Sequence, residues 1–203
     1  MTNSVRWVYG LMLLICIAVG IAPGAVEAAS TPALQRGVNL SHWLQYWGRQ
    51  PVVAADMAMI KKAGFDHVRI PFNPEALGWN PDATTPTTDW TALDQAMNLA
   101  LQAQLAVILD FHPESELHNR IETQDSVQQA FLDFWQQMAR HYAASPVSEV
   151  AFEILNEPQY YQDDGGARWN AVQQQALLRV RQSAPSHLVL LSGNRGGSIA
   201  GLL

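Results

Sequence analysis

From residue 36 onward the chain alternates short apolar runs, rich in branched side chains, with longer stretches whose apolar positions recur at i, i+3 and i+4. A near-continuous apolar run suits a strand buried on both faces, and the 3.6-residue period is that of a helix with one buried face. Strands are predicted over 36–40, 67–72, 105–112, 149–156 and 187–193, and helices over 54–63, 91–103, 127–143 and 169–182. The third helix has the clearest stripe, with Val127, Ala130, Phe131, Phe134, Met138 and Tyr142 on one face. Ser126 and Gln129 suit a capping box at its start. Ala63-Gly64, Ser145-Pro146 and Pro185 supply helix stops.

Strands beginning near 36, 67, 105, 149 and 187 repeat every 31 to 44 residues, which fits one strand plus one crossover helix per unit. A doubly wound sheet would carry a glycine-rich turn after its first strand. Here Leu40 is followed by Ser41-His42-Trp43-Leu44, so the repeat favours an α/β fold of the (β/α)8 TIM-barrel type, with about five βα units present. A closed barrel needs eight units and typically about 250 residues. The expectation is the N-terminal portion of a longer domain, with roughly 110 residues to follow at this spacing. Bare edges at the first and fifth strands would then favour aggregation of residues 29–203 on their own.

The first 28 residues stand outside the repeat. Arg6 precedes an uncharged run from Trp7 to Ala22, Pro23-Gly24 breaks it, and Val26-Glu27-Ala28-Ala29 offers a small-x-small cleavage point. The run falls short of the ~20 apolar residues that span a bilayer. Residues 1–28 therefore read as a signal peptide and 29–203 as the barrel portion, secreted and free of the membrane after cleavage. The single cysteine, Cys16, lies in the removed segment, and Ile15 before it argues against lipidation. The mature domain must rely on core packing without disulfides.

With 48% hydrophobic and 15% charged residues, the chain can build a core, which excludes a disordered tail or a fibre. Its net charge of −6, unchanged by removing Arg6 and Glu27, gives no sequence-wide basic field. Nucleic acid and anionic membrane are thereby poor partners.

Working residues of a barrel sit at the carboxyl ends of its strands, and these ends are unusually polar. Asn39, Ser41, His42 and Trp43 mark the first, Arg69 the second, Asp110-Phe111-His112 the third, Asn156-Glu157-Pro158 the fourth and Ser192-Gly193-Asn194 the fifth. Four motifs stand in order: Arg36-Gly37-Val38-Asn39-Leu40, His67-Val68-Arg69-Ile70-Pro71, Val107-Ile108-Leu109-Asp110-Phe111-His112, and Phe152-Glu153-Ile154-Leu155-Asn156-Glu157-Pro158. Together they resemble glycoside hydrolase family 5, the cellulase-type retaining glycosidases, over about residues 34 to 195.

The resemblance implies a β-glucan substrate, most simply a β-1,4-glucan cut by double displacement, no cofactor, no metal, and a monomer when complete. Glu157 would be the general acid/base, Asn156 a hydrogen-bond donor to the sugar 2-hydroxyl, Arg69 the brace of the nucleophile, and His112 a wall of the cleavage subsite. Such chemistry needs an acid at the departing oxygen and a carboxylate about 5 Å away. The family's nucleophile comes from a seventh strand, beyond Leu203, and no residue here is promoted in its place. Glu153, four residues before Glu157, is about 13 Å away along an extended strand. Mannan, xyloglucan and β-1,3-glucan are alternative substrates, and a non-catalytic carbohydrate binder or inert fragment is an alternative role.

Each residue also has a plainer reading. Arg69 could form a structural ion pair, with Glu153 as the candidate partner, and without any partner its charge would be costly. Asp110 is as well suited to a structural as to a catalytic role. Trp43, Trp47 and Trp79 fall in predicted loops, where indole faces can stack on sugar rings, whereas Trp135 and Trp169 fall on helices. Tyr160 and Tyr161 follow Glu157 and could line the leaving-group side. His42, His112 and His118 invite a zinc reading, but Asn39-Leu40-Ser41-His42 lacks the His-x-His of barrel metal sites. Gly193-Asn194-Arg195-Gly196-Gly197 lacks the lysine and spacing of a phosphate loop.

Overall fold

Strands that are apolar on both faces form a sheet only where helices cover one side and further side chains the other. The computed structural model describes residue 32 and residues 34–46, 51–160 and 166–202. The predicted signal peptide, Trp47 and Tyr161 lie outside these. The described residues build a five-stranded, all-parallel sheet: β1 (Gly37–Asn39), β2 (His67–Phe72), β3 (Ala106–Phe111), β4 (Val150–Glu153) and β5 (Leu188–Leu190). Spatial order follows chain order from β1 to β5. Every crossover therefore steps the same way, and parallel crossovers are right-handed, so the helices gather on one face. A doubly wound sheet would reverse direction at a switch point. This order is the arc of a barrel, as the repeat predicts.

The crossover helices are α1 (Ala54–Lys62), α2 (Thr91–Gln102), α3 (Ser115–Thr123), α4 (Asp125–His141) and α5 (Ala167–Arg181). Four match the predicted helices within about two residues. The fifth, α3, was not anticipated, because Leu117 and Ile121 are its only large apolar residues. The expected capping box of α4 does not form. That helix begins at Asp125 with no side-chain cap, Ser126 sits inside it, and Gln129 bonds Asp133 instead at 3.0 Å.

Alternation in the strands divides the two faces. Val68, Ile70 and Phe72 of β2, Val107, Leu109 and Phe111 of β3, and Val150 and Phe152 of β4 enter the core beneath the helices. At its centre Phe111 meets Phe131 at 5.1 Å and Phe134 at 5.0 Å, both edge-on. The indole of Trp135 reaches across the core to donate to the Ile154 carbonyl at 3.1 Å. The opposite face carries Asn39, Arg69, Asp110 and Glu153. There Gly37 is required by close approach, since a Cβ at that position would lie 2.0 Å from Nε2 of His67.

Strands one, four and five are shorter than expected. After β1 the chain leaves the ladder, turns at His42 with φ 69°, and rejoins β2 by a bridge between Leu44 and Phe72. After β4 it turns outward at Glu157, whose φ is 44°. The extended-strand spacing between Glu153 and Glu157 therefore does not apply. No helix among the described residues is long and apolar enough to cross a membrane.

Candidate active site

Parallel pairing brings the polar strand ends together. Arg69 lies opposite Asn39 on β1, and Asp110 lies opposite Glu153 on β4. Arg69 donates from Nε to Glu153 at 2.7 Å and from Nη2 to the other Glu153 oxygen at 2.8 Å, a bidentate pair. Nη2 also meets Asp110 at 2.8 Å and Asn156 Oδ1 at 3.1 Å, and Nη1 donates to Asn39 at 3.0 Å. The structural ion pair with Glu153 offered by the sequence is present. Burial works against the guanidinium charge, but the Glu153 hydrogen bond and the Asp110, Glu153 and Glu157 charges outweigh it and raise its pKa.

Asp110 is fully buried and links this arginine to the imidazole. His112 Nδ1 lies 2.8 Å from Asp110 Oδ2, and His112 Nε2 lies 3.3 Å from the Asn156 amide nitrogen. A carboxylate accepts, so Nδ1 carries the proton and Nε2 is left to accept from Asn156. The Asn156 oxygen then faces Arg69. Each member of this closed ring of Asp110, His112, Asn156 and Arg69 has one donor or acceptor role that suits its neighbours. Burial pushes the Asp110 carboxyl up to about 6, helped by the Glu153 charge and opposed by His112 and Arg69.

Glu157 follows the ring on an exposed turn. Its left-handed backbone is uncommon for a residue with a side chain and marks a held conformation. With Gln45, Tyr46, His112, Glu114, His118 and Asn156 it lines a cleft of about 520 Å³ that opens to solvent. Arg69, His112, Asn156 and Glu157, nominated from the sequence, are therefore brought together. His42 and Trp43 sit on the neighbouring β1 loop, where the His42 ring tilts over Tyr46 at 5.2 Å and Trp43 is half-buried against the core.

Two nominated residues are placed elsewhere. Trp79 is 1% exposed, edge-on to Phe111 and Phe134, and offers no face to a sugar. A short 3-10 turn over Glu75–Leu77 carries its large apolar ring back into the core instead of leaving it in a loop. Tyr160 is 4% exposed and stacks obliquely on Trp169 at 5.5 Å. Its backbone N–H and C=O are both held by the Asn194 side chain, which ties the β4 loop to the β5 loop. The sequence reading missed Gln45, Tyr46 and Glu114 as lining residues. Tyr46 lies within the aromatic stretch that nominated Trp43 and Trp47. No group of three His, Cys, Asp or Glu among the described residues is arranged to hold a metal.

Comparison with known proteins places this geometry in a family. The family model described as cellulase (glycosyl hydrolase family 5) matches residues 26–200. Cellodextrinase A of Ruminococcus flavefaciens is 27% identical over 173 residues, which cover 77% of this chain and 49% of that protein. Endoglucanase 3 of Fibrobacter succinogenes is 24% identical over 184 residues, which cover 82% of this chain and 28% of that protein. Endoglucanase Cel5A of Thermotoga maritima superposes with a TM-score of 0.73 at 30% identity, over 83% of this chain and 54% of that one. Cel5A has also been solved with cellobiose and with mannotriose. The chain thus spans about half the length of Cel5A and of the cellodextrinase. Its parallel βα units superpose on those of Cel5A, and the chain belongs to the cellulase family, glycosyl hydrolase family 5.

Proposed function

We propose that this chain contributes the general acid/base half of a retaining β-glycanase active site. The observation that carries this reading is Glu157, an exposed carboxyl held in a strained turn at the rim of a cleft, directly after an asparagine locked by Arg69 and His112. In a double displacement the Glu157 carboxyl gives its proton to the departing glycosidic oxygen. As a carboxylate it then takes a proton from the attacking water. Asn156 would turn its remaining amide hydrogen to the hydroxyl beside the anomeric carbon, and Arg69, held by Glu153 and Asp110, would brace the nucleophile. The nucleophile is expected from the part of the barrel beyond β5.

The names of the relatives favour a glucan or cello-oligosaccharide substrate, most simply a β-1,4-glucan, with β-1,3-glucan and mannan as alternatives. The charge of −6 and the polar cleft suit a neutral glycan. Residues 1–28 are proposed as a cleaved signal peptide, 29–203 as the N-terminal part of the barrel, and the product as a secreted monomer. Cellotetraose and carboxymethylcellulose are the test substrates. Glu157→Gln should lower hydrolysis by about 10²–10⁴ while binding of cellotetraose stays within a few-fold. A 2,4-dinitrophenyl cellobioside, which needs little acid assistance, should lose less, and azide should restore part of its turnover. Full activity in the Gln variant would overturn the acid/base assignment. Glycan binding without turnover by the protein with its nucleophile-bearing part in place would replace it with a carbohydrate-binding role.

A further inference from the structure

Helix α3 was not foreseen, and its position suggests a function. It follows β3 closely, and its buried Leu117 and Ile121 fasten it to the hydrophobic core. Gln128 of α4 holds its end by donating to the Ile121 carbonyl at 3.3 Å. His118 and Glu122 are one turn apart and point the same way. His118 Nε2 lies 3.0 Å from the Asn156 carbonyl oxygen. A carbonyl can only accept, so this nitrogen is the donor. Glu122 Oε1 accepts the Gln159 N–H at 2.8 Å. The two side chains therefore grip the backbone one residue before Glu157 and two residues after it. Between the grips lie only Glu157, in its left-handed conformation, and Pro158, whose carbonyl is held by Gly196 N–H at 2.9 Å.

A residue in a sparsely populated backbone region stays there only when its surroundings over-determine it. The β4 loop has such surroundings, and α3 provides the two bonds that bracket Glu157. We infer that His118 and Glu122 are positioning residues, a two-point clamp that sets the turn from which the Glu157 carboxyl enters the cleft. The inference rests on the acid/base reading of Glu157, to which it adds the origin of that residue's orientation. The groups facing Glu122 are His118 at 3.4 Å on its own helix, the Gln159 N–H from the loop, and Arg168 on α5. Burial pushes the Glu122 carboxyl up, against the pull of these three.

The test uses the full chain with His118→Ala, His118→Gln, Glu122→Ala and Glu122→Gln. Gln at either position keeps a donor or an acceptor, which provides a milder variant should an alanine variant fail to fold. Amide hydrogen exchange read by NMR should show Gln159 exchanging at least tenfold faster in Glu122→Ala and within about threefold of the parent in Glu122→Gln. Hydrolysis of cellotetraose should lose at least tenfold in kcat with KM within threefold in both alanine variants. The dinitrophenyl cellobioside should lose less than threefold in kcat/KM, because that ratio reports the first step, in which a good leaving group needs little acid. Equal losses on both substrates, or unchanged Gln159 exchange in Glu122→Ala, would overturn the clamp. If the exchange responds while Glu157→Gln has no effect on hydrolysis, the acid/base reading fails and the clamp stands as a loop-setting device. A chain with no turnover is still decided by the exchange arm.

Discussion

Replacing Arg69 with methionine removes one cation from four acceptor side chains while keeping most of the apolar stem. In the native structure the guanidinium makes two bonds to Glu153, one to Asp110, one to Asn156 and one to Asn39, all between 2.7 and 3.1 Å. Its side chain is 22% exposed, that of Asp110 is fully buried, and that of Glu153 is 15% exposed, so solvent can relieve only part of the loss. Breaking a buried pair by deleting one partner costs about 3–5 kcal/mol, because the other charge stays behind. The partial exposure places Arg69→Met at the lower end, about 3 kcal/mol at pH 7. That is a large share of the roughly 5–15 kcal/mol that holds a domain together. With a urea slope of about 2 kcal/mol per M, the midpoint should fall by about 1.5 M.

The sign of the pH dependence follows from linkage. Asp110, buried and left facing the Glu153 charge without the cation, binds a proton more readily in the folded variant than in its unfolded chain. Stability of the variant then falls as pH rises, and the penalty is largest at neutral pH. Urea melts of parent and variant, followed by tryptophan fluorescence at pH 7 and pH 4.5, should show the gap shrinking to about 1 kcal/mol at the lower pH. A loss below about 1 kcal/mol at pH 7, or an equal loss at both values, would refute the claim that Arg69 neutralises this carboxylate pair.

Three further outcomes are expected. Asp110 titrates near 6 in the folded state against an ordinary 3.8, so its contribution is fully present below pH 3.8 and is lost as pH rises through about 6. The stability difference between parent and Asp110→Asn should therefore change by on the order of 3 kcal/mol across that window and level off above it, as read by urea midpoints at several pH values. Trp79→Phe should leave cello-oligosaccharide affinity within twofold by calorimetry while costing about 1–2 kcal/mol of stability, since the indole fills core and not cleft. Gly37→Ala should cost about 1–3 kcal/mol through its clash with the His67 ring, and adding His67→Ala should recover part of that loss in a double-mutant cycle.

Much of the architecture was legible because it depends on local pattern. The apolar runs, the helix stripe from Val127 to Tyr142, and a repeat of 31 to 44 residues are properties of neighbours in the chain, and each survives into β2, β3 and α4 with small changes of boundary. The strand-end motifs located Arg69, His112, Asn156 and Glu157 for the same reason, since a charged or polar residue closing an apolar strand is visible without knowledge of its partners. Helix α3 was hidden because two apolar residues in nine make too weak a stripe to separate it from a loop.

The tertiary structure decided everything that depends on which strands lie side by side. Parallel pairing of β2, β3 and β4 turned Arg69, Asp110 and Glu153 from three separate charges into one ion-paired cluster. The same packing took Trp79 and Tyr160 out of the site, because a large ring beside a hydrophobic core gains more from burial than from exposure at a loop. It also made His118 and Glu122 consequential, by setting one face of a short helix against the backbone that carries Glu157. Sequence determined the elements and the chemical types at their ends, since both follow from contacts within a few residues. Orientation, charge pairing and burial of the site residues required contacts between residues up to 87 positions apart, which no local pattern encodes.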